Sequence, residues 1–243
     1  MELRPARVAL FVTCLVDQFA PEVAACTLRV LKRVGLRPAV PEGQTCCGQP
    51  LLNDGFPRQA AAVARRFLRT FEPFDAIVTP SGSCASTVRE FYPQLLAGSP
   101  EHAQAEAVAG RMYELSEFLV RVLGVEEVGA RFPHRVAFHP SCHQLRALRA
   151  ADCTRTLLRR VEGLELVDLH HPEACCGFGG VFSVKFPEVS EAMLHDKVED
   201  VRRTAAEVLA SADLGCLLHL RAGLRRRGEP VRCLHVAEVL AAP

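Results

Sequence analysis

The chain has 243 residues, of which 49% are hydrophobic and 23% are charged. That composition can build a sizeable core and excludes a disordered protein. The formal net charge is +1, and no pattern of aromatic and basic residues accompanies the arginines, which argues against a nucleic-acid partner.

The first predicted element lies in the apolar stretch from Val8 to Val16. This stretch is too short to cross a bilayer, which needs about 20 residues, and no small-residue cleavage site follows it. We therefore expect a cytoplasmic protein with no membrane span. Thiols stay reduced in that compartment, so clustered cysteines indicate metal binding or catalysis rather than disulfides.

Strands and helices alternate along the sequence. In the first half the predicted elements are a strand at 8–13, a helix at 22–34, a strand at 37–40, a helix at 57–70, a strand at 75–79 and a helix at 103–123. In the second half they are a strand at 135–138, a helix at 145–161, a strand at 164–169, helices at 187–209 and 216–227, and a strand at 231–235. This order predicts an α/β fold with mainly parallel sheets and right-handed β-α-β connections.

The two halves of the sequence repeat each other. Residues 7–14 match residues 135–142 at an offset of 128, and the Cys-Cys-Gly triplet at 46–48 matches the triplet at 175–177. Such self-similarity indicates duplication, so we predict two tandem pseudo-symmetric repeats. The predicted domains are 1–128 and 129–243.

Each repeat carries four cysteines in the same order. Because open α/β sheets bind ligands beyond the carboxyl ends of their strands, we expect four thiols to gather at one sheet edge in each repeat. Four thiolates suit an iron–sulfur cluster, so we predict one or two clusters of the [4Fe–4S] type. Zinc bound by four thiolates, in one half or in both, stays open as the alternative. The predicted ligands to metal and cofactor are Cys14, Cys46, Cys47, Cys84, Cys142, Cys175, Cys176 and Cys216.

Three polar residues crowd around one predicted ligand of the second repeat. His139 and His143 bracket Cys142, and Arg146 follows one turn later. These side chains could hydrogen-bond cluster sulfur or bind an anionic substrate, which makes them candidate catalytic residues. An ordinary structural histidine is the alternative for either ring. The first repeat has no such group around Cys14, so the two copies have diverged.

Three strings of residues resemble a known family. They are Thr79-Pro80-Ser81-Gly82-Ser83-Cys84, His139-Pro140-Ser141-Cys142-His143-Gln144-Leu145-Arg146 and Cys175-Cys176-Gly177-Phe178-Gly179-Gly180-Val181-Phe182-Ser183-Val184-Lys185. With the two triplets, they resemble the cysteine-rich CCG domain found in heterodisulfide reductase and in the iron–sulfur component of glycolate oxidase. The chain is most similar to the lactate-utilisation protein A family.

That resemblance implies an iron–sulfur, electron-transfer component of a multi-protein system that oxidises L-lactate to pyruvate in the cytoplasm. The chain would act with companion lactate-utilisation proteins as part of an oxidoreductase, and the small 2-hydroxy acid could bind a partner. An iron–sulfur component of glycolate oxidase, one of the heterodisulfide reductase type and a zinc-stabilised partner-binding scaffold are the alternatives.

The sequence departs from the heterodisulfide reductase pattern at one position in each repeat. Those relatives end each motif in C-x-x-C, whereas Ser81 and Asp213 stand here at the first of the two cysteine positions. Each site therefore offers four thiols, which favours an ordinary [4Fe–4S] cluster. A serine or carboxylate ligand to one iron stays open.

Overall fold

The computed structural model describes residues 5–243 and divides into two compact units, Met1–Val125 and Glu126–Pro243. Residues 1–4, which begin the first predicted domain, lie outside the described part of the chain. The boundary that we place between residues 128 and 129 stays a prediction. Among the helices described in residues 5–243, none combines the length and the apolar character needed to cross a bilayer.

The first unit contains a parallel sheet of three strands in the order β1 (Val8–Leu10), β2 (Ala76–Thr79) and β3 (Met112–Glu114). Every residue of β1 and β2 is buried, as expected for strands covered by helices on both faces. The helices are Cys14–Phe19, Pro21–Arg33, Gln49–Asn53, Pro57–Phe71, Gly82–Ser86, Tyr92–Leu95, His102–Ala109 and Leu115–Glu117, with π-helical turns at Thr87–Phe91 and Phe118–Val122.

The second unit contains four strands, β4 (Arg135–Phe138), β5 (Glu165–Val167), β6 (Val208–Ser211) and β7 (Arg232–His235). They form a parallel sheet in the order β5, β4, β6, β7. The helices are Ala151–Arg159, Phe182–Lys185, Pro187–Arg203, Leu214–Arg226 and Val236–Leu240, with a π-helical turn at His143–Ala147.

The strand predicted at 37–40 explains why the two sheets differ in size. In the first unit it is reduced to one parallel bridge between Ala39 and Ala9. The Leu10 N–H donates to the Ala39 carbonyl and the Ala39 N–H donates to the Val8 carbonyl, both at 2.8 Å. Ala39 thus lies beside β1 in the first unit in the same way as β5 lies beside β4 in the second unit. The prediction of an α/β fold with two parallel-sheet repeats is confirmed.

Three predicted helices are wrong in part. The helix predicted at 103–123 is interrupted by β3, whose last residue, Glu114, accepts the N–H groups of Ser116 and Glu117 and so begins a new helix. The helix predicted at 145–161 is broken before Ala151, because Arg149 has a φ of 50°.

The third incorrect helix, predicted at 187–209, includes the first residues of a central strand of the sheet. The helix predicted at 187–209 ends at Arg203, where Ala205 turns the chain with a φ of 52°. Residues 208–211 then form β6, which pairs with both β4 and β7. All four residues of β6 are buried, which explains why their apolar character also suited a buried helix.

The core of the first unit holds an aromatic cluster beneath the sheet. Helix Pro57–Phe71 places Phe67 and Phe71 edge-on against Phe11, with ring centroids 4.9 and 5.6 Å apart respectively. Tyr92 packs on Phe67 at 5.4 Å. Full burial of each such side chain contributes about 1.5–3 kcal/mol. The cluster fixes helix Pro57–Phe71 against Phe11, the residue that follows β1.

Candidate metal centres

The cysteines of each unit lie beyond the carboxyl ends of its strands. In the first unit Cys14 begins the helix after β1, and Cys84 lies in the short helix after β2. The triplet at 46–48 follows the Ala39 bridge. In the second unit Cys142 follows β4 and Cys216 lies in the first turn of the helix after β6. The strand order therefore delivers each set of thiols to one sheet edge.

The four thiols of the first unit form a continuous chain of contacts. Cys14 hydrogen-bonds to Cys46, Cys46 to its neighbour Cys47, and Cys47 to Cys84, with 3.4 Å between the last two sulfur atoms. The Gly48 N–H also points at the Cys46 sulfur, at 3.4 Å. Residues separated by 70 positions in the sequence are thus brought together. Their role as ligands stays a prediction.

This chain of contacts makes Cys46 the preferred thiolate of the first unit. Hydrogen bonds from Cys14 and Cys47, together with the Gly48 N–H, lower the pKa of Cys46 to about 3. The hydrogen bond to Cys46 and burial raise the pKa of Cys14, and the pKa of Cys47 rises for the same reasons. Cation binding would remove these protons, because thiolates and not thiols bind metals.

The second unit repeats the arrangement. Cys142 hydrogen-bonds to Cys175, Cys175 to Cys176, and Cys176 to Cys216. The Gly177 N–H lies 3.4 Å from the Cys175 sulfur, as in the first unit. Hydrogen bonds from Cys142 and Cys176 lower the pKa of Cys175 to about 2, while the pKa values of Cys142 and Cys176 are raised. All eleven cysteines of the chain are free thiols.

A left-handed glycine ends each triplet and aims its N–H at sulfur. Gly48 has a φ of 84° and Gly177 a φ of 88°, a region that costs other residues about 1–2 kcal/mol. Gly177 is also tightly enclosed, since a Cβ atom there would lie 2.5 Å from the Ser190 carbonyl oxygen. The Ser190 hydroxyl donates to the Gly177 carbonyl at 2.8 Å, which fixes the turn to helix Pro187–Arg203.

His139 lies with two thiols of the second set at once. One of its ring nitrogens and the sulfur atoms of Cys176 and Cys216 all lie within 4.8 Å of one another. The imidazole is fully buried, and none of the described residues hydrogen-bonds to either ring nitrogen. Burial, followed by the positive charge of Lys197, lowers the pKa of His139 to about 4, so the ring is neutral at pH 7.

The other two candidate polar residues lie around the donor set. The His143 Nδ1 is 3.6 Å from the Cys142 sulfur. The exposed guanidinium of Arg146 donates to the Glu173 carbonyl at 3.0 Å, which ties it to the loop that carries the second triplet. Binding of a substrate carboxylate by His139, His143 and Arg146 stays a prediction.

The residues that replace a fifth cysteine have matched places. Ser81 precedes helix Gly82–Ser86 and its hydroxyl accepts the Cys84 N–H at 3.2 Å. Asp213 holds the same place before helix Leu214–Arg226 and is buried. Ser81 therefore caps the helix that carries Cys84. Ligation of iron by either residue is untested.

Sequence reasoning missed a buried ion pair behind the second triplet. Lys197 and Asp200 are almost fully buried, and their charged groups are 3.3 Å apart. Burial raises the pKa of Asp200, but hydrogen bonds from the His170 and His171 N–H groups and the charge of Lys197 lower it overall. Lys197 also donates to the His171 carbonyl. The pair was detectable as two charges on the apolar face of the predicted helix.

A second missed residue anchors the first triplet. The Tyr92 hydroxyl donates to the Cys47 carbonyl at 2.9 Å, and the side chain is fully buried. Burial and the neighbouring thiols raise the pKa of Tyr92, so the phenol remains a donor. No local signal in the sequence relates residue 92 to residue 47, because the contact depends on tertiary packing.

The donor chemistry fits an iron–sulfur cluster. Each unit gathers four thiols, and a glycine N–H points at a sulfur of each set. Thiolates are soft ligands that suit iron–sulfur clusters, and N–H donors stabilise their negative charge. The neighbouring cysteines and the single distant ones do not form the paired knuckles typical of structural zinc. Cys26, Cys153 and Cys233, which lie outside both sets, are free thiols as well.

The fold and the thiol sets define a class of protein. A family model described as the CCG cysteine-rich domain matches residues 8–89 and residues 136–221, once in each unit. Both matches include the single cysteine, the triplet and the final cysteine of the set. The chain is therefore a tandem cysteine-rich domain protein.

Full-length relatives narrow this class to one family. Lactate utilization protein A of Geobacillus kaustophilus (strain HTA426) is 46% identical over 237 residues, which cover 97% of this chain and 99% of the relative. Lactate utilization protein A of Bacillus licheniformis is 44% identical over 235 residues, with 96% and 98% covered. Lactate utilization protein A 2 of Bacillus cereus (strain Q1) is 43% identical over 236 residues, with 97% and 98% covered. The chain belongs to the lactate utilization protein A family, which confirms the resemblance inferred from its motifs.

Proposed function

We propose that this chain is the iron–sulfur electron-transfer component of a multi-protein system that oxidises L-lactate to pyruvate. The convergence of four thiols at the sheet edge of each unit is the observation that carries the proposal. The names of the relatives support a role in lactate use and favour lactate over glycolate as the substrate of the system.

The four thiols of each unit would hold one [4Fe–4S] cluster, and such a cluster supplies one-electron transfer when bound. The protein provides the environment of that cluster. Gly48 and Gly177 place N–H groups against sulfur, and burial of Cys47 and Cys176 keeps water from one side of each site. These two factors, hydrogen bonding and exposure, set the reduction potential.

Substrate oxidation itself is assigned to a companion protein. Oxidation of a 2-hydroxy acid removes two electrons, and the sequence contains no complete G-x-G-x-x-G fingerprint of a nicotinamide or flavin site. Companion lactate-utilisation proteins would supply that cofactor and deliver the electrons to this chain. A cytoplasmic location fits the reduced thiols.

Anaerobic purification followed by iron and acid-labile sulfide analysis tests the proposal. We expect a coloured protein with iron and sulfide in equal amounts. Two matched double variants assign them: Cys46→Ser/Cys47→Ser and Cys175→Ser/Cys176→Ser should each remove about half of the iron. A colourless protein that takes up neither iron nor sulfide on anaerobic reconstitution would refute electron transfer.

A zinc-stabilised scaffold that binds partners is the second candidate. Its specific support is the second unit, where an imidazole lies with two thiols in a set that zinc also accepts. Metal analysis separates the candidates, because zinc without sulfide in the second unit would favour the scaffold there. The same double variants show which unit holds which metal.

A further inference from the structure

One position distinguishes the thiol sets of the two units. Phe11 and His139 are three residues before Cys14 and Cys142, so they occupy matched places in the duplication. Phe11 is fully buried against Phe67 and Phe71. His139 is equally buried but carries two polar nitrogens into its unit.

The His139 ring lacks the partners that buried imidazoles ordinarily have. Neither nitrogen accepts or donates a hydrogen bond among the described residues, although both atoms are inaccessible to solvent. Buried polar atoms are satisfied in most folded proteins, and each exception calls for an explanation, such as a bound ion that completes it. A metal ion bound by Cys176 and Cys216 would lie close to the His139 ring.

The distances fit direct coordination. Two donors on one ion cannot be farther apart than the sum of their bond lengths, about 4.6 Å for two thiolates and about 4.4 Å for a thiolate and an imidazole. The His139 nitrogen and the two sulfur atoms lie within 4.8 Å of one another. At tetrahedral angles these bond lengths bring the donors to about 3.6–3.8 Å from one another, so movements of about 1 Å or less would complete the set. A hydrogen bond to sulfur, which needs 4.0 Å or less, is not formed.

We propose that His139 is a nitrogen ligand to iron in the centre of the second unit, where it takes the place of one of the four thiolates and gives this centre mixed nitrogen and sulfur ligation. The first unit has no matching nitrogen ligand, because Phe11 stands in the place of the histidine. This inference rests on the proposed iron–sulfur function. A neutral imidazole donates less charge than a thiolate, so the second centre has the higher reduction potential.

Pulsed electron paramagnetic resonance of the full-length chain labelled with ¹⁵N-histidine tests the inference. The Cys46→Ser/Cys47→Ser background leaves the second centre as the source of the signal. We expect a strong ¹⁵N hyperfine coupling from the reduced centre, and we expect His139→Phe to abolish it and to lower the reduction potential. His219→Gln is the matched control, because His219 bonds to Ser190 beside the second triplet and lies outside the donor set. This control should keep the coupling.

Two further arms make the test decisive. The Cys175→Ser/Cys176→Ser background, which retains the first centre, should show no ¹⁵N coupling. His139→Asn is a second variant in case His139→Phe does not fold, and circular dichroism checks that it is folded. Iron and sulfide in both units with no ¹⁵N coupling, or a coupling that survives His139→Phe, would overturn the inference and leave electron transfer intact. Absence of iron from both units would overturn electron transfer and the inference with it.

Discussion

The two triplet glycines give a sharp test of how the thiol sets are built. Gly48 and Gly177 have nearly the same backbone conformation, with φ values of 84° and 88°. Their surroundings differ. A Cβ atom at Gly48 would lie 3.5 Å from its nearest neighbour, which is ordinary contact, whereas one at Gly177 would lie 2.5 Å from the Ser190 carbonyl oxygen. Alanine at the two positions should therefore have unequal effects.

The backbone conformation and the contacts of the added Cβ atom determine how much stability each substitution should remove. At either site the left-handed backbone destabilises an alanine by about 1–2 kcal/mol relative to glycine. Alanine also reduces the entropy of the unfolded chain, which stabilises the folded state by about 0.4–1 kcal/mol. Gly48→Ala should thus lower the free energy of unfolding by about 1 kcal/mol. At Gly177 the backbone must also move by about 1 Å, and overpacking of this kind costs about 1–3 kcal/mol more. That movement displaces the N–H that points at Cys175.

Urea unfolding followed by circular dichroism, with iron analysis of each anaerobically prepared variant, measures both effects. Gly177→Ala should be the less stable variant and should lose iron from the second unit, while Gly48→Ala keeps both centres. Gly180→Ala is the control in the same loop, since its φ is 65° and nothing lies within 4 Å of the added atom. Equal stability and equal iron content for Gly177→Ala and Gly180→Ala would refute the steric argument.

Three further outcomes are expected. Asp200→Ala should destabilise the second unit by about 3–5 kcal/mol in urea unfolding, because it leaves the buried Lys197 charge unpaired, whereas the exposed Asp196→Ala on the same helix should have little effect. The pKa of Asp200 is lower in the folded protein than its ordinary value of 3.8. The Asp200 carboxylate therefore stabilises the fold above pH 3.8, and this stabilisation is lost as the pH falls through the pKa of the folded state. The difference in urea midpoint between wild type and Asp200→Ala should accordingly shrink in acid. Tyr92→Phe should cost about 1–3 kcal/mol by orphaning the Cys47 carbonyl, and Tyr113→Phe, whose 3.4 Å bond is exposed, should be near neutral in the same assay.

The thiol sets were predictable because duplication supplies two independent views of one site. The strand–loop–cysteine order, read twice, places each thiol at a sheet edge without knowledge of tertiary contacts. The same comparison could have found β6. A strand precedes Cys84 in the first half, so a strand was to be expected before Cys216, although Val208–Ser211 continues an apolar helical pattern.

The remaining errors come from turns and partners that carry no local signal. Arg149 and Ala205 adopt positive φ values that ordinarily favour glycine, so the breaks they make in predicted helices leave no glycine or proline to detect. The unpartnered ring of His139 and the bond from Tyr92 to Cys47 depend on elements distant in sequence. Residue type alone cannot show whether a buried polar atom is satisfied.

The two units differ at the corresponding positions Phe11 and His139, and they also differ at a second pair of corresponding positions in the core. Helices Pro57–Phe71 and Pro187–Arg203 both begin with proline and follow a triplet, and the eleventh residue of each is Phe67 and Lys197 respectively. In the first unit Phe11 stacks edge-on against Phe67. In the second unit the charge of Lys197 acts on His139. Both matched places are thus aromatic in the first unit and polar in the second. Asp200 and the His171 carbonyl compensate the charge of Lys197, whereas none of the described residues hydrogen-bonds to the ring of His139. The duplicated backbone gathers the two thiol sets alike, and these two positions make the surroundings of the sets differ in polarity.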